Sequence, residues 1–420
     1  MTDERVRRQI RAARSKFAAM AATYGLGVFN DSFFRQSAML LAVAGGAKDK
    51  QGYVMSVFAL PYLLFASPAG WLADRFSKRN VVIAAKLLEL AAMLCGAAGM
   101  CTGHWGLILA MVFLMALQSC IFSPALNGSI PELYPPEHVI RANATLKVVV
   151  IAMILGGITA SGLALGAPGE ALGVSMGRWV VAAGAVGIAA LGVLASLGVA
   201  RRPATAPGRA FPWTGPLDTL RQFALIRRDG LLLLVVVANV TAWFAGSLLV
   251  QFINLLATHQ LGTARDVDTA SYMVAVELIG VAAGGLAGGR LARGRRWYRA
   301  LPGGLFALAG MMGAMGLLPM LGPAAQRPAA FALLGLIGLL GGMVLIPSEG
   351  LIQVRAAGDR KGIVIASVNF AVFAGILLSG PIANVLNRFV RPSTGIAVIG
   401  AMVLPAGAWL WQALAKGVQE

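Results

Sequence analysis

The chain has 420 residues, 58% of them hydrophobic and only 12% charged, with a mean hydropathy of +0.76. That is too apolar for a soluble domain, which needs a polar surface. The formal charge of +18 would suggest nucleic acid in a soluble chain, but here the charges cluster in loops between apolar runs, and no nucleic-acid partner is expected.

Period-two alternation is missing and the runs are long enough to cross a bilayer as helices, which argues against an outer-membrane barrel. The expected class is an all-α membrane protein. Residues 1–17 carry Arg5, Arg7, Arg8, Arg11, Arg14 and Lys16 without a small-residue cleavage site, and read as a retained basic cytoplasmic tail. Apolar runs of about twenty residues follow at 18–43, 51–73, 80–102, 105–126, 142–166 and 178–200. Six more lie at 229–257, 269–289, 300–321, 328–348, 362–387 and 394–415. The stretch 201–228, with Pro203, Pro207, Pro212, Pro216 and six arginines, reads as a cytoplasmic linker. Trp213, Leu217, Leu220 and Ala224 recur there at helical spacing, as in either a helix lying on the inner leaflet or a solvated loop. Two six-helix bundles are therefore expected, at 18–200 and 229–420.

With the N-terminus cytoplasmic, 25 basic residues fall on the cytoplasmic side against 7 on the other, so both termini are expected inside. Cys95, Cys101 and Cys120 lie within apolar runs and suggest neither a disulfide nor a metal site. No cofactor is expected.

Asp31 and Arg35, four residues apart in the first run, share one helix face, and an ion facing lipid at mid-membrane costs several kcal/mol. They must face protein, each other or a wet cavity. A structural ion pair and a ligand site both satisfy that demand. Glu89 and Glu277 are also expected deep in their helices. For Glu277 a proton site is the rival, because a desolvated carboxylate titrates upward. Lys86 and Lys147 lie nearer helix ends, where they either snorkel or bind. Asn30, Asn239 and Asn369 can hydrogen-bond across helices or to a ligand, with packing the plainer role for the last two. Gly284, Gly285, Gly288 and Gly289 form overlapping small-x-x-x-small patterns that suit either sliding helices or static packing.

The halves echo each other. Gly70-Trp-Leu-Ala-Asp74-Arg75-Phe-Ser-Lys78-Arg79 ends the second run, and Gly285-Leu-Ala-Gly-Gly289-Arg290-Leu-Ala-Arg293 ends the eighth. Ser123-Pro124 and Pro347-Ser348 are read as lying in matching connections, and Asn143 matches Asn369.

Gly-x-x-x-Asp-Arg-x-x-x-Arg at Gly70 to Arg79 resembles the signature loop of the major facilitator superfamily, with Ser77 where the family usually has glycine. The resemblance implies twelve transmembrane helices in two pseudo-symmetric bundles and a cytoplasmic gate latch at Asp74, Arg75 and Arg79. Glu349 and Arg355 border the tenth run and are expected, from that position, as further gate residues. Phe29-Asn30-Asp31-Ser-Phe-Phe-Arg35, Lys86-Leu-Leu-Glu89-Leu, Phe122-Ser-Pro124-Ala and Arg141-Ala-Asn143 resemble the lysophospholipid transporter branch. Leu126 stands where that branch tends to have lysine, and Lys147 where it tends to have glutamate.

This resemblance implies transfer of lysophosphatidylethanolamine-like lipids across a bacterial inner membrane to the cytoplasmic leaflet by alternating access. It also implies an acyltransferase partner on the cytoplasmic side. A zwitterionic headgroup needs both signs of charge close together, and Asn30, Asp31, Arg35, Glu89, Lys147 and Glu277 are the expected substrate-binding residues. A proton-coupled exporter of amphiphilic drugs is the rival. An acyltransferase on this chain is excluded, since Leu109, Asn143 and Ala264 stand where His-x-x-x-x-Asp would need aspartate. No Walker loop is present, so ATP is not expected to drive transport.

Overall fold

The computed structural model describes residues 3–134, 136–201, 203–204, 206–208, 210–215, 226–263, 265–292, 296–355 and 361–416. Among the described residues there are twelve helices of 15 residues or more. In chain order they are α1 (Asp3–Ala44), α2 (Asp49–Arg75), α3 (Lys78–Thr102), α4 (Trp105–Leu133), α5 (Pro136–Leu165) and α6 (Met176–Ser196). Then come α7 (Gly230–Leu255), α8 (Val267–Leu291), α9 (Leu301–Met315), α10 (Pro323–Arg355), α11 (Lys361–Phe389) and α12 (Pro392–Ala415). Ten are long and apolar enough to cross a membrane. The other two are α1, whose apolar stretch carries Asp31 and Arg35, and α9, which short 3-10 turns extend at both ends. The chain is a multi-pass all-α membrane protein.

Each expected span coincides with one helix, but the boundaries differ instructively. The basic tail is helical from Asp3 and continuous with α1, because no glycine or proline interrupts the chain before Gly25. Ser123-Pro124 and Pro347-Ser348, read from sequence as connections, lie inside α4 and α10. Membrane helices tolerate proline where neighbouring groups satisfy the freed backbone. Of the proposed linker helix, Trp213 is described and exposed, whereas Leu217, Leu220 and Ala224 lie outside the described residues.

The chain folds as two compact units. The first comprises Met1–Ala38 and Leu60–Pro216. Within it Gly96 and Gly99 of α3 leave room for Met111 and Ile108 of α4, and Gly157 of α5 sits against the Phe29 carbonyl of α1. A two-residue hairpin, β1 (Glu170–Ala171) with β2 (Val174–Ser175), joins α5 to α6. Leu172 and Gly173 both take positive φ, 53° and 75°, as a tight primed turn requires. The start of the linker folds onto the end of α2: Ala206 N–H donates to the Asp74 carbonyl at 2.8 Å, and the Phe211 ring meets Trp71 with centroids 5.1 Å apart.

The second unit comprises Met39–Ala59 and Leu217–Glu420. Its α8 and α10 run backbone against backbone: a Cβ on Gly280 or Gly284 would strike the Gly335 or Leu339 carbonyl, and one on Gly338 or Gly342 would strike the Glu277 or Val281 carbonyl. The glycine stripe thus packs a helix pair inside one unit, which favours static packing over sliding, and Gly289 faces open space.

The hairpin Met39–Ala59 is held within this unit by buried polar groups. Gln51 Nε2 donates to the Gln251 carbonyl at 3.0 Å, Asn254 Nδ2 donates to Gln51 Oε1 at 2.9 Å, and Ser56 Oγ donates to the Leu377 carbonyl at 2.9 Å. Gly52 and Gly380 approach so closely that a Cβ on either would collide with the other's carbonyl.

Candidate functional site

Inside the first unit a cavity of about 130 Å³ lies among α1, α2, α3 and α4. From α1 it receives Tyr24, Gly27 and Asp31. Tyr62 comes from α2, Lys86 from α3, and Gln118, Ser119 and Phe122 from α4. The α4 residues fall on one face because three and four positions make one helical turn.

Two linked groups of ions organise this region. Lys86 Nζ lies 2.5 Å from Glu89 Oε2, one turn along α3, and each side chain is only 1% exposed. Glu89 Oε1 also accepts from Asn30 Nδ2 at 3.2 Å, while the same Asn30 nitrogen donates to the Ala185 carbonyl of α6 at 3.1 Å. The Lys86 ammonium rests 5.1 Å from the centroid of the Phe122 ring, a favourable cation–π contact in a desolvated place. A glycine at position 27 permits this, since a Cβ there would overlap Lys86 Nζ.

Asp31 receives a 2.5 Å hydrogen bond from Ser119 Oγ at one oxygen and a longer one, 3.4 Å, from Gln118 Nε2 at the other. Gln118 also donates to Ser119 Oγ at 2.7 Å, fixing the pair. Arg35, one turn further along α1, has Asp31 and Tyr62 as its ionisable neighbours. Two carboxylates and two cations therefore share the region, and the Asp31 carboxylate lines the cavity. Such an arrangement can meet a ligand's cation with Asp31 and its anion with Lys86 or Arg35 without importing net charge.

Of the substrate residues expected from sequence, Asn30, Asp31, Arg35 and Glu89 come together here. Lys147 is exposed on α5 and, among the described residues, makes no hydrogen bond or ion pair with the group. Glu277 is buried in α8 of the second unit. Lys86 is drawn inward instead of snorkelling, because Glu89 one turn away compensates its charge. Tyr62, Gln118 and Ser119 escaped the sequence reading altogether. The signal for Gln118 and Ser119 was a run of polar residues with Ser123 along one face of the otherwise apolar α4; Tyr62 on α2 had none.

The expected gate residues sit at helix ends, apart from Glu349, which lies inside α10. Arg79 Nη2 donates to the Leu197 carbonyl at 3.0 Å, closing the end of α6. The Arg75 guanidinium lies 5.3 Å from the centroid of the Trp71 ring. Glu349 Oε1 accepts from Trp243 Nε1 at 3.3 Å. Arg355 Nε meets Asp229 Oδ2 at 2.7 Å, linking the end of α10 to the residue that caps α7.

A bundle of apolar helices that keeps ions of both signs around a cavity is built as membrane transport proteins are. A family model described as the Major Facilitator Superfamily matches residues 16–380, and the chain belongs to that superfamily. It is 28% identical over 404 residues to the lysophospholipid transporter LplT of Enterobacter sp. (strain 638), covering 94% of this chain and 95% of that one. Among solved structures, the nucleoside transporter NupG superposes with a TM-score of 0.67 at 12% identity, over 96% of this chain and 99% of that one. The xylose transporter XylE from E. coli gives 0.66 at 13% identity, over 94% and 96%. These likenesses show the shared fold.

Proposed function

We propose that this transporter carries lysophospholipids of the phosphatidylethanolamine type across a bacterial inner membrane to the cytoplasmic leaflet, by alternating access. The observation that carries the reading is the Asp31 carboxylate, seated on Ser119 and Gln118 in a cavity that Lys86 also lines. The ethanolamine ammonium is met by Asp31, and the phosphate by Lys86 or Arg35. The similarity to a protein named as a lysophospholipid transporter supports the same substrate class. The surplus of arginine and lysine in the even-numbered connections supports cytoplasmic termini. Return of a lysolipid to the inner leaflet calls for reacylation, so an acyltransferase is the natural partner, and no cofactor is required.

Purified protein in liposomes, given fluorescent lysophosphatidylethanolamine, tests the proposal. Transfer is expected to exceed that of an Asp31→Asn variant by about tenfold or more, the worth of one lost charge-assisted contact. Equal rates overturn it. Glu277 favours a second reading, a proton-coupled exporter of amphiphiles, because it is a buried carboxylate without a hydrogen-bonding or ionic partner among the described residues. Flux that follows a pH gradient and ignores lysophospholipid supports that alternative.

A further inference from the structure

Gln118 of α4 lines the cavity of the first unit and is 1% exposed. Its amide nitrogen is committed to the groups that organise Asp31, donating to Ser119 Oγ at 2.7 Å and to Asp31 Oδ1 at 3.4 Å. The carboxylate fixes which way the amide points, because turning it over would set two acceptor oxygens against each other. Gln118 Oε1 is therefore left buried without a hydrogen-bond partner among the described residues, and every residue lining the cavity is described. A buried carbonyl without a donor is costly and calls for a reason.

Two acceptors stand side by side here. The nitrogen and oxygen of one amide are about 2.2 Å apart, so Gln118 Oε1 lies at most about 5.6 Å from Asp31 Oδ1. Charge-assisted N–H···O bonds are about 2.8 Å long, and a single nitrogen can reach both oxygens. The fitting guest is an ammonium with at least two N–H donors: the carboxylate takes the charge and one proton, and the carbonyl takes a second. A quaternary ammonium has no N–H and needs free aromatic faces instead. Phe122 is already engaged, with the Lys86 ammonium 5.1 Å from its centroid and the Tyr24 ring stacked at 5.7 Å.

We infer that Gln118 Oε1 is the second acceptor for the substrate's ammonium, so that this residue sets headgroup preference by the number of N–H donors. The inference rests on the lysophospholipid reading above and names a specificity residue within that site.

Initial transfer rates into liposomes test it, using lysophosphatidylethanolamine and its N-methyl, N,N-dimethyl and N,N,N-trimethyl derivatives. The first two members can serve both acceptors. The rate is expected to hold through one methylation and to fall about tenfold at the second, the loss of one hydrogen bond to an ion. Gln118→Met keeps the length of the side chain and removes the acceptor. Its step at the second methyl is expected to vanish, while the fall at the third, which belongs to Asp31, remains. Ser119→Ala leaves the Gln118 carbonyl in place and is expected to slow all four lipids with the wild-type profile.

A purely structural Gln118 would shift the four rates together. The same profile in wild type and Gln118→Met overturns the assignment. So does a wild type indifferent to methylation, a result that needs no variant to fold. Either outcome leaves lysophospholipid transport standing, whereas transfer of lysophosphatidylethanolamine no faster than in protein-free liposomes overturns that reading and this inference with it.

Discussion

Asp229 and Arg355 meet at 2.7 Å, and the other Asp229 oxygen accepts the Leu232 N–H at 3.0 Å, so a single carboxylate both caps α7 and ties it to the last turn of α10. Burial alone would raise the Asp229 carboxyl. Hydrogen bonds from Arg355 and the Leu232 N–H, together with the arginine's charge, outweigh burial and hold it below its ordinary value of 3.8.

A carboxyl depressed by folding contributes stability above its unfolded pKa and loses it as pH falls through the lower folded one. Asp229→Asn keeps a capping oxygen but removes the ion pair. Because both partners are partly solvated, the expected cost near neutrality is a few tenths to about 1 kcal/mol. Melting temperatures measured against pH should show the gap between variant and wild type closing below about pH 4. A gap independent of pH would mean that the ion pair contributes nothing.

Lys86→Met leaves Glu89 buried with Asn30 as its remaining hydrogen-bond partner. Stranding one member of a buried pair costs about 3–5 kcal/mol, whereas replacing both is often close to neutral. Denaturation of Lys86→Met, Glu89→Leu and the double variant should therefore yield a large favourable coupling. Additive losses would contradict the compensation described between these two side chains.

Ser119→Ala deletes the 2.5 Å hydrogen bond to Asp31 without touching any charge. A hydrogen bond to an ion contributes about 1.5–3 kcal/mol, so half-saturation for the transported lipid should change about tenfold or more. The melting temperature should move far less. Unaltered transport kinetics would remove Ser119 from the site.

Gly380→Val places a branched side chain against the Gly52 carbonyl and Ser56 Oγ. Relief requires the hairpin Met39–Ala59 to move away from α11. A cysteine introduced at Ser56 should then react faster with a water-soluble maleimide than in the glycine background, while Gly289→Val, directed into open space, should leave the reaction unchanged.

Sequence revealed the helices well because a bilayer crossing demands an uninterrupted apolar run, and that demand leaves few alternatives. Asp31 and Glu89 were legible for a similar reason: a carboxylate within hydrocarbon requires an explanation. Tyr62, Gln118 and Ser119 were not, since a neutral polar side chain in a membrane helix satisfies packing as readily as binding. Lys86 was left open between snorkelling and binding because it lies near the start of α3, although Glu89 three residues on already offered a buried counter-ion. The attachment of Gln51 to Gln251 and Asn254 spans some 200 residues of chain, and no local pattern announces such a partnership.

Gly27 and Lys86 occupy the same small volume, the absent side chain on α1 making space for the ammonium on α3. A side chain at position 27 would push aside the tip of that flexible lysine, so the two positions are coupled. A lineage that acquires alanine or anything bulkier at position 27 has to redirect the lysine's tip, and its pairing with Glu89 shifts with it. These three sites should diverge together among descendants of a common ancestor, one inherited unit spread over two helices.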